Sequence, residues 1–254
     1  MALSVSRGGR GAPLVLCPGL LSTQADLDEL IGLLRRDHDV VAFDLRGHGM
    51  SSAADRYTFE AFLGDLAAVV RELDLPVPPV LAGYSLGADL AVHYACDNPG
   101  TLAGLVLIDG ANPVPEPFLT EADLPEFRAM WEDSVVRNQT RRGTAHQVLL
   151  TARDILDLNL EIDAVRSAIL DRYRRIDRPI RMIMSTSMAG DGDEGPAPRW
   201  NRNWHNGIER LLRERPRIAA TRLRADHRLV HTHAADIARI IRDAVGDWGD
   251  ADHR

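Results

Sequence analysis

The chain alternates short, continuous apolar runs with longer segments in which apolar residues recur every three or four positions. Residues 13–17 form such a run, closed by Pro18-Gly19, and predict a buried strand followed by a turn. Residues 26–36, with Leu27, Leu30, Ile31 and Leu34 on one face, predict a helix, and residues 40–45 a second strand. The alternation continues with a helix at 59–73, a strand at 79–84, a helix at 86–96 and a strand at 102–108. Because the strand segments are apolar throughout, they predict a parallel sheet covered by helices on both faces.

The pattern breaks at Ala111. Residues 111–178 open with Pro113, Pro115 and Pro117 and contain no convincing strand, only helical stretches such as 148–160. They are expected to form a helical lid, with residues 1–110 and 179–254 as the α/β core. The core pattern resumes with a strand at 179–184, a helix at 200–213, a strand at 218–223 and a closing helix at 234–245. Trp200, Trp204, Ile208 and Leu211 share a face of the first of these helices, so both tryptophans are expected in the core.

Composition narrows the chemistry. All 30 basic residues are arginine, so lysine Schiff bases, phosphate-cradling Lys-Ser/Thr loops and Ser-x-x-Lys hydrolases are excluded. A net charge of −7 argues against nucleic-acid or anionic-membrane partners. Two cysteines, Cys17 and Cys96, and the absence of a signal-like or spanning apolar run favour a reducing, cytoplasmic setting. His227, His231 and His233 lack the glutamate and helical context of a zinc motif, so no metal is expected.

Gly83-Tyr84-Ser85-Leu86-Gly87 lies between a predicted strand and a predicted helix. In that setting the serine occupies a tight, strained turn, and the flanking glycines let strand and helix cross closely. Ser85 is thus the candidate nucleophile, and the Leu86 amide, at a helix N-terminus, a candidate oxyanion donor.

With these residues the sequence resembles the α/β-hydrolases along nearly its whole length. Pro18-Gly19-Leu20 stands where that family has its oxyanion loop, with proline in place of histidine, and the resemblance makes the Leu20 amide the second oxyanion donor. The early position of that loop leaves the family's first strand missing or very short. Phe43-Asp44-Leu45-Arg46-Gly47-His48-Gly49-Met50-Ser51 matches the loop after the next strand, where His48 reads as a turn residue. The resemblance places the general base in the loop before the last helix and selects His227, with His231 and His233 as competitors. For the acid it leaves two placements open. Asp109, directly after the strand before the lid, fits a thioesterase-like subset, although it also reads as a turn cap. Asp191 or Asp193 fits the commoner placement after the lid.

The family implied is a cofactor-free serine hydrolase acting on an ester, thioester or lactone, free or carrier-bound, with a biosynthetic acyl substrate favoured. The same Ser/His/Asp set would also serve a cyclase, lyase or cofactor-free oxygenase, and a silent ligand-binding protein is a third reading. Cys17 is expected to be a buried strand residue. Phe118, Met130, Trp131, Met182, Met184 and Met188 are candidates to line a pocket, with core packing as the alternative for the methionines.

Overall fold

The computed structural model describes residues 1–252, and residues 250–252 as backbone alone. Its strands are β1 (Val5–Gly9), β2 (Ala12–Cys17), β3 (His38–Phe43), β4 (Val80–Tyr84), β5 (Gly104–Ile108), β6 (Ile180–Ser185) and β7 (Ala219–Leu223). They form one sheet in the order β1-β3-β2-β4-β5-β6-β7, with β1 antiparallel to β3 and every other pair parallel. Only the five-residue β1 precedes β2. Its polar, glycine-ended sequence VSRGG carries no apolar run, and it had no counterpart in the hydrophobic pattern.

The helices are α1 (Asp28–Leu34), α2 (Phe59–Glu72), α3 (Leu86–Asp97), α4 (Leu124–Asn138), α5 (Ala152–Arg174), α6 (Ala197–Glu214), α7 (Leu229–Thr232) and α8 (Ala234–Asp252). Alternate residues of β2 show how the sheet is covered. Leu14 and Leu16 pack with α1 and α8, whereas Val15 and Cys17 pack with α2, α3, α5 and α6. Both faces are therefore dry, as expected for parallel strands with continuous apolar runs.

Between β5 and β6 the chain carries α4, one 3-10 turn and α5. The expected helix at 148–160 starts later, at Ala152, and runs on to Arg174. Residues 147–149 are instead extended against the loop after β3, through Gly49 N–H to Gln147 O and Leu149 N–H to Gly47 O, both 2.8 Å. Thr151 then closes a capping box with Asp154, which fixes the start of α5.

The chain runs from β2 to β3 on one side and later returns to β4 on the other. This reversal opens a crevice at the C-terminal ends of β2 and β4. The loops after β2, β4, β5 and β7 converge there. Among the described residues no helix is long and apolar enough to cross a membrane.

Candidate active site

Ser85 lies between β4 and α3 with φ 51° and ψ −118°. That left-handed conformation costs a non-glycine residue roughly 1–3 kcal/mol, and the surroundings must hold it. Its amide donates to Ile108 O (2.9 Å). A Cβ on Gly83 would lie 2.2 Å from the Gly87 carbonyl oxygen, and one on Gly87 would lie 2.2 Å from that of Cys17. The two glycines thus permit the close crossing that holds the serine at its elbow.

His227 lies in the loop after β7. Its Nε2 is 2.9 Å from Ser85 Oγ and its Nδ1 is 2.8 Å from Asp109 Oδ2. A carboxylate can only accept, so Nδ1 carries the proton and Nε2 accepts from the serine hydroxyl. The loop is held by Tyr84, whose hydroxyl donates to His227 O (2.7 Å), and by the His227 amide, which donates to Met188 O (3.1 Å).

Asp109 follows β5 at φ 45° and is 0% exposed. Its Oδ1 accepts from the Ser185 amide (2.9 Å) and from Trp204 Nε1 (3.1 Å), and the Ser185 hydroxyl sits 2.8–2.9 Å from both carboxylate oxygens. Burial lifts this carboxyl, but the hydrogen bonds from His227 and Ser185 and the interaction with His227 outweigh it. The net result lies below the ordinary carboxylate range, so the group is ionised at neutral pH. Of the two placements the sequence left open, the structure brings Asp109 to His227. Asp191 and Asp193 lie exposed on the loop after β6 and make no hydrogen bond to it.

Leu20 and Leu86 both line the cavity above Ser85. Leu86 is the first residue of α3, so its amide has no intrahelical acceptor. The Leu20 amide makes no hydrogen bond among the described residues. The adjacent Leu21, at φ 65°, is held from behind: its amide donates to His48 Nε2 (3.2 Å), while His48 Nδ1 donates to Arg46 O (2.9 Å). Burial pushes the pKa of this fully enclosed imidazole down, which keeps it neutral and able to accept. His48, read from sequence as a turn residue, is thus a buried strut under the loop that carries Leu20.

The cavity, about 210 Å³, is walled by Leu20, Leu21 and Leu86 from the core and by Phe118, Phe127, Trp131, Ile162, Asn159 and Arg166 from the segment between β5 and β6. Of the proposed pocket residues, Phe118, Trp131 and Met188 line it. Met130 instead points to solvent, and Met182 and Met184 are fully buried core. Trp204 is core as expected, but Trp200 is only half-buried. It stacks on Phe118 (5.2 Å) and donates Nε1 to Phe118 O (2.9 Å), and so belongs to the small cluster under α4.

Four contributors were not read from the sequence: Ser185, Tyr84, Arg166 and the indole N–H of Trp204. The tryptophan carried a signal, since a buried indole N–H usually requires an acceptor. Arg166 carried none among so many arginines. Its Nε and Nη2 hold Asp89 in the first turn of α3 (2.7–3.2 Å), tying α5 to the helix that follows Ser85. Burial lifts the Asp89 carboxyl and Arg166 opposes that shift; the two meet as a buried pair at 2.7 Å. Cys17 lies under the same loop, fully buried, and burial pushes its thiol far above the ordinary range, which leaves it inert.

A family model described as "Alpha/beta hydrolase family" matches residues 14–240. The chain belongs to the alpha/beta hydrolase family. Within the family it is 27% identical over 151 residues to an sn-1-specific diacylglycerol lipase of Xenopus laevis, covering 57% of this chain and 47% of that protein. It is 32% identical over 108 residues to a non-heme chloroperoxidase of Kitasatospora aureofaciens, covering 42% of this chain and 39% of that one. The chain therefore spans less than half the length of these two curated relatives. Among solved structures, the thioesterase domain from the curacin biosynthetic pathway superposes with a TM-score of 0.66 at 19% identity, over 94% of each chain.

Proposed function

We propose that this alpha/beta hydrolase is a cofactor-free serine hydrolase of esters or thioesters that works through an acyl-enzyme. The observation that carries the reading is the continuous chain Ser85–His227–Asp109, at 2.9 and 2.8 Å, opening into an apolar cavity. Ser85 Oγ attacks the acyl carbon while His227 Nε2 takes its proton. Asp109, already ionised, holds the Nδ1 tautomer and stabilises the imidazolium that forms. The tetrahedral oxyanion faces the amides of Leu20 and Leu86, the latter at the positive end of α3. His227 then returns the proton to the leaving group, and water repeats the sequence to release the acid.

Residues 111–178 act in this reading as a lid, since α4 and α5 supply one wall of the cavity. The substrate is a small-molecule acyl compound, free or carrier-bound, met in the cytoplasm. The hydrolytic reading gains support from the diacylglycerol lipase among the relatives. The chloroperoxidase relative favours a second reading, in which the same three residues serve a non-hydrolytic reaction.

A fluorophosphonate probe tests Ser85 as the nucleophile, and release of the free acid from a p-nitrophenyl ester separates hydrolysis from the second reading. The hydrolase reading expects stoichiometric labelling of the wild type that disappears in Ser85→Ala and falls steeply in His227→Ala. A folded wild type that resists the probe would overturn it.

A further inference from the structure

The cavity beside Ser85 is apolar except for one stripe. On α5, Asn159, Ile162 and Arg166 recur at helical spacing and face the same space as Ser85, Trp204 and His227. An arginine in an otherwise apolar acyl cavity would be costly unless paired, and Arg166 is paired: its Nε and Nη2 are committed to Asp89. Its Nη1 has no hydrogen-bond partner among the described residues. The guanidinium also lies over the Trp204 ring, with Cζ 5.1 Å from the centroid, so its plane is held one ring away from Asp109. Asn159 repeats the pattern, since its Nδ2 is spent on Ile155 O (2.7 Å) and its Oδ1 is left over. The Arg166–Asp89 pair alone explains why the lid stays on α3. It does not explain the guanidinium nitrogen left without a partner on a residue that lines the cavity.

We propose that Arg166 recognises a neutral oxygen on the acyl chain, a ketone or hydroxyl, so that the substrate class is an oxygenated acyl group and not a plain alkyl chain or a dicarboxylic half-ester. The proposal rests on the hydrolase reading of Ser85 above. A neutral acceptor is favoured over a carboxylate by the charges around the site. Asp89 already neutralises the guanidinium at 2.7 Å, and the Trp204 ring over which it lies is itself bonded to a second carboxylate, Asp109. A further anion would find no unbalanced positive charge there. An uncharged oxygen accepts a hydrogen bond from a charged donor without that penalty.

A six-carbon acyl chain serves as the probe, since it can carry an oxo group at either of two positions remote from the ester. The test compares p-nitrophenyl hexanoate with its 4-oxo and 5-oxo counterparts and with mono-p-nitrophenyl adipate. Each rate is normalised to its own hydroxide-catalysed hydrolysis, so that electrophilicity cancels. At least one oxo ester should exceed hexanoate about 10-fold in kcat/KM, the increment of one charge-assisted hydrogen bond, and the adipate should fall below hexanoate. In the paired variant Arg166→Gln with Asp89→Asn, which removes one charge of each sign, the oxo-to-alkyl ratio should collapse towards one.

Hexanoate turned over as fast as every oxo ester, or an adipate preferred to all, would overturn the proposal while leaving the hydrolase reading intact. Should no ester turn over, the hydrolase reading fails and binding still decides this one. Ser85→Ala titrated with hexanamide and with 4-oxo- and 5-oxohexanamide, followed by quenching of the cavity tryptophans, should bind an oxo amide about 10-fold tighter. Equal affinities would refute it.

Discussion

Asp109→Asn changes one atom, and the surroundings determine how the new amide must sit. Asp109 Oδ1 faces two donors that cannot become acceptors, the Ser185 amide at 2.9 Å and the Trp204 indole at 3.1 Å. The NH2 group of the substituted side chain is disfavoured at that position, because it would face two N–H donors with only the Ser185 hydroxyl able to accept. The carbonyl stays there, and the NH2 turns to His227 Nδ1. That nitrogen then accepts, and the proton moves to Nε2, where it faces Ser85 Oγ at 2.9 Å. In this tautomer the imidazole cannot take the serine proton. The expected loss in kcat is about 10⁴-fold, or about 5 kcal/mol of transition-state stabilisation, with the overall geometry intact. Turnover of a p-nitrophenyl ester across pH 6–9 measures the rate, and nitrogen-15 NMR of His227 reports the tautomer directly. Retention of more than about a tenth of wild-type activity, with the Nδ1–H tautomer unchanged, would refute this reasoning. It would also return Asp191 and Asp193 to consideration.

Other consequences follow from buried imidazoles. His48→Phe deprives the Leu21 amide of its acceptor and frees the loop that carries Leu20, so kcat for the same ester should fall about 10-fold with KM little changed. His48→Gln, which keeps an acceptor, should recover part of the loss, and an unchanged kcat in both variants would dismiss the strut. His93 packs edge-on to Phe59 at 4.9 Å, its Nε2 has no partner, and burial, aided by Arg172, lowers its pKa to about 4. Above pH 6.5 it is neutral folded or unfolded and adds no pH dependence. Between pH 6.5 and 4 the unfolded chain binds a proton that the folded one refuses, so stability falls as pH falls. On the order of 2 kcal/mol is lost over that window. Urea denaturation at pH 7 and pH 5 should show the drop, and His93→Phe should reduce it.

The hydrophobic pattern was enough to place every parallel strand within two residues at either end, because the inner strands are buried on both faces and have little freedom in composition. The edge strand β7, with no buried residue, was marked only by its short apolar start. β1 escaped notice because an edge strand pairing on one side needs no apolar residues. The elbow and His227 were legible because their chemistry requires particular residues at the ends of particular strands. The acid was legible only as a choice, since an aspartate after β5 and aspartates after β6 satisfy the same order along the chain. What decides between them is Ser185 and Trp204, which come from β6 and α6 and converge on Asp109 only in three dimensions. Trp204 shows the limit most clearly: its helical spacing marks it as core, which it is, yet its one polar atom serves the site. The α5 stripe was hidden for a similar reason, because an arginine paired inside the fold cannot be told by sequence from one in solvent.

The most direct measurement is pre-steady-state mixing of the wild type with excess p-nitrophenyl hexanoate, quenched in acid within the first turnover and digested for mass spectrometry. A burst of p-nitrophenolate equal to the enzyme concentration, with a hexanoyl adduct on Ser85 absent from Ser85→Ala, is the expected result. Linear product release without a burst or adduct, with Ser85→Ala retaining activity, would contradict an acyl-enzyme at Ser85.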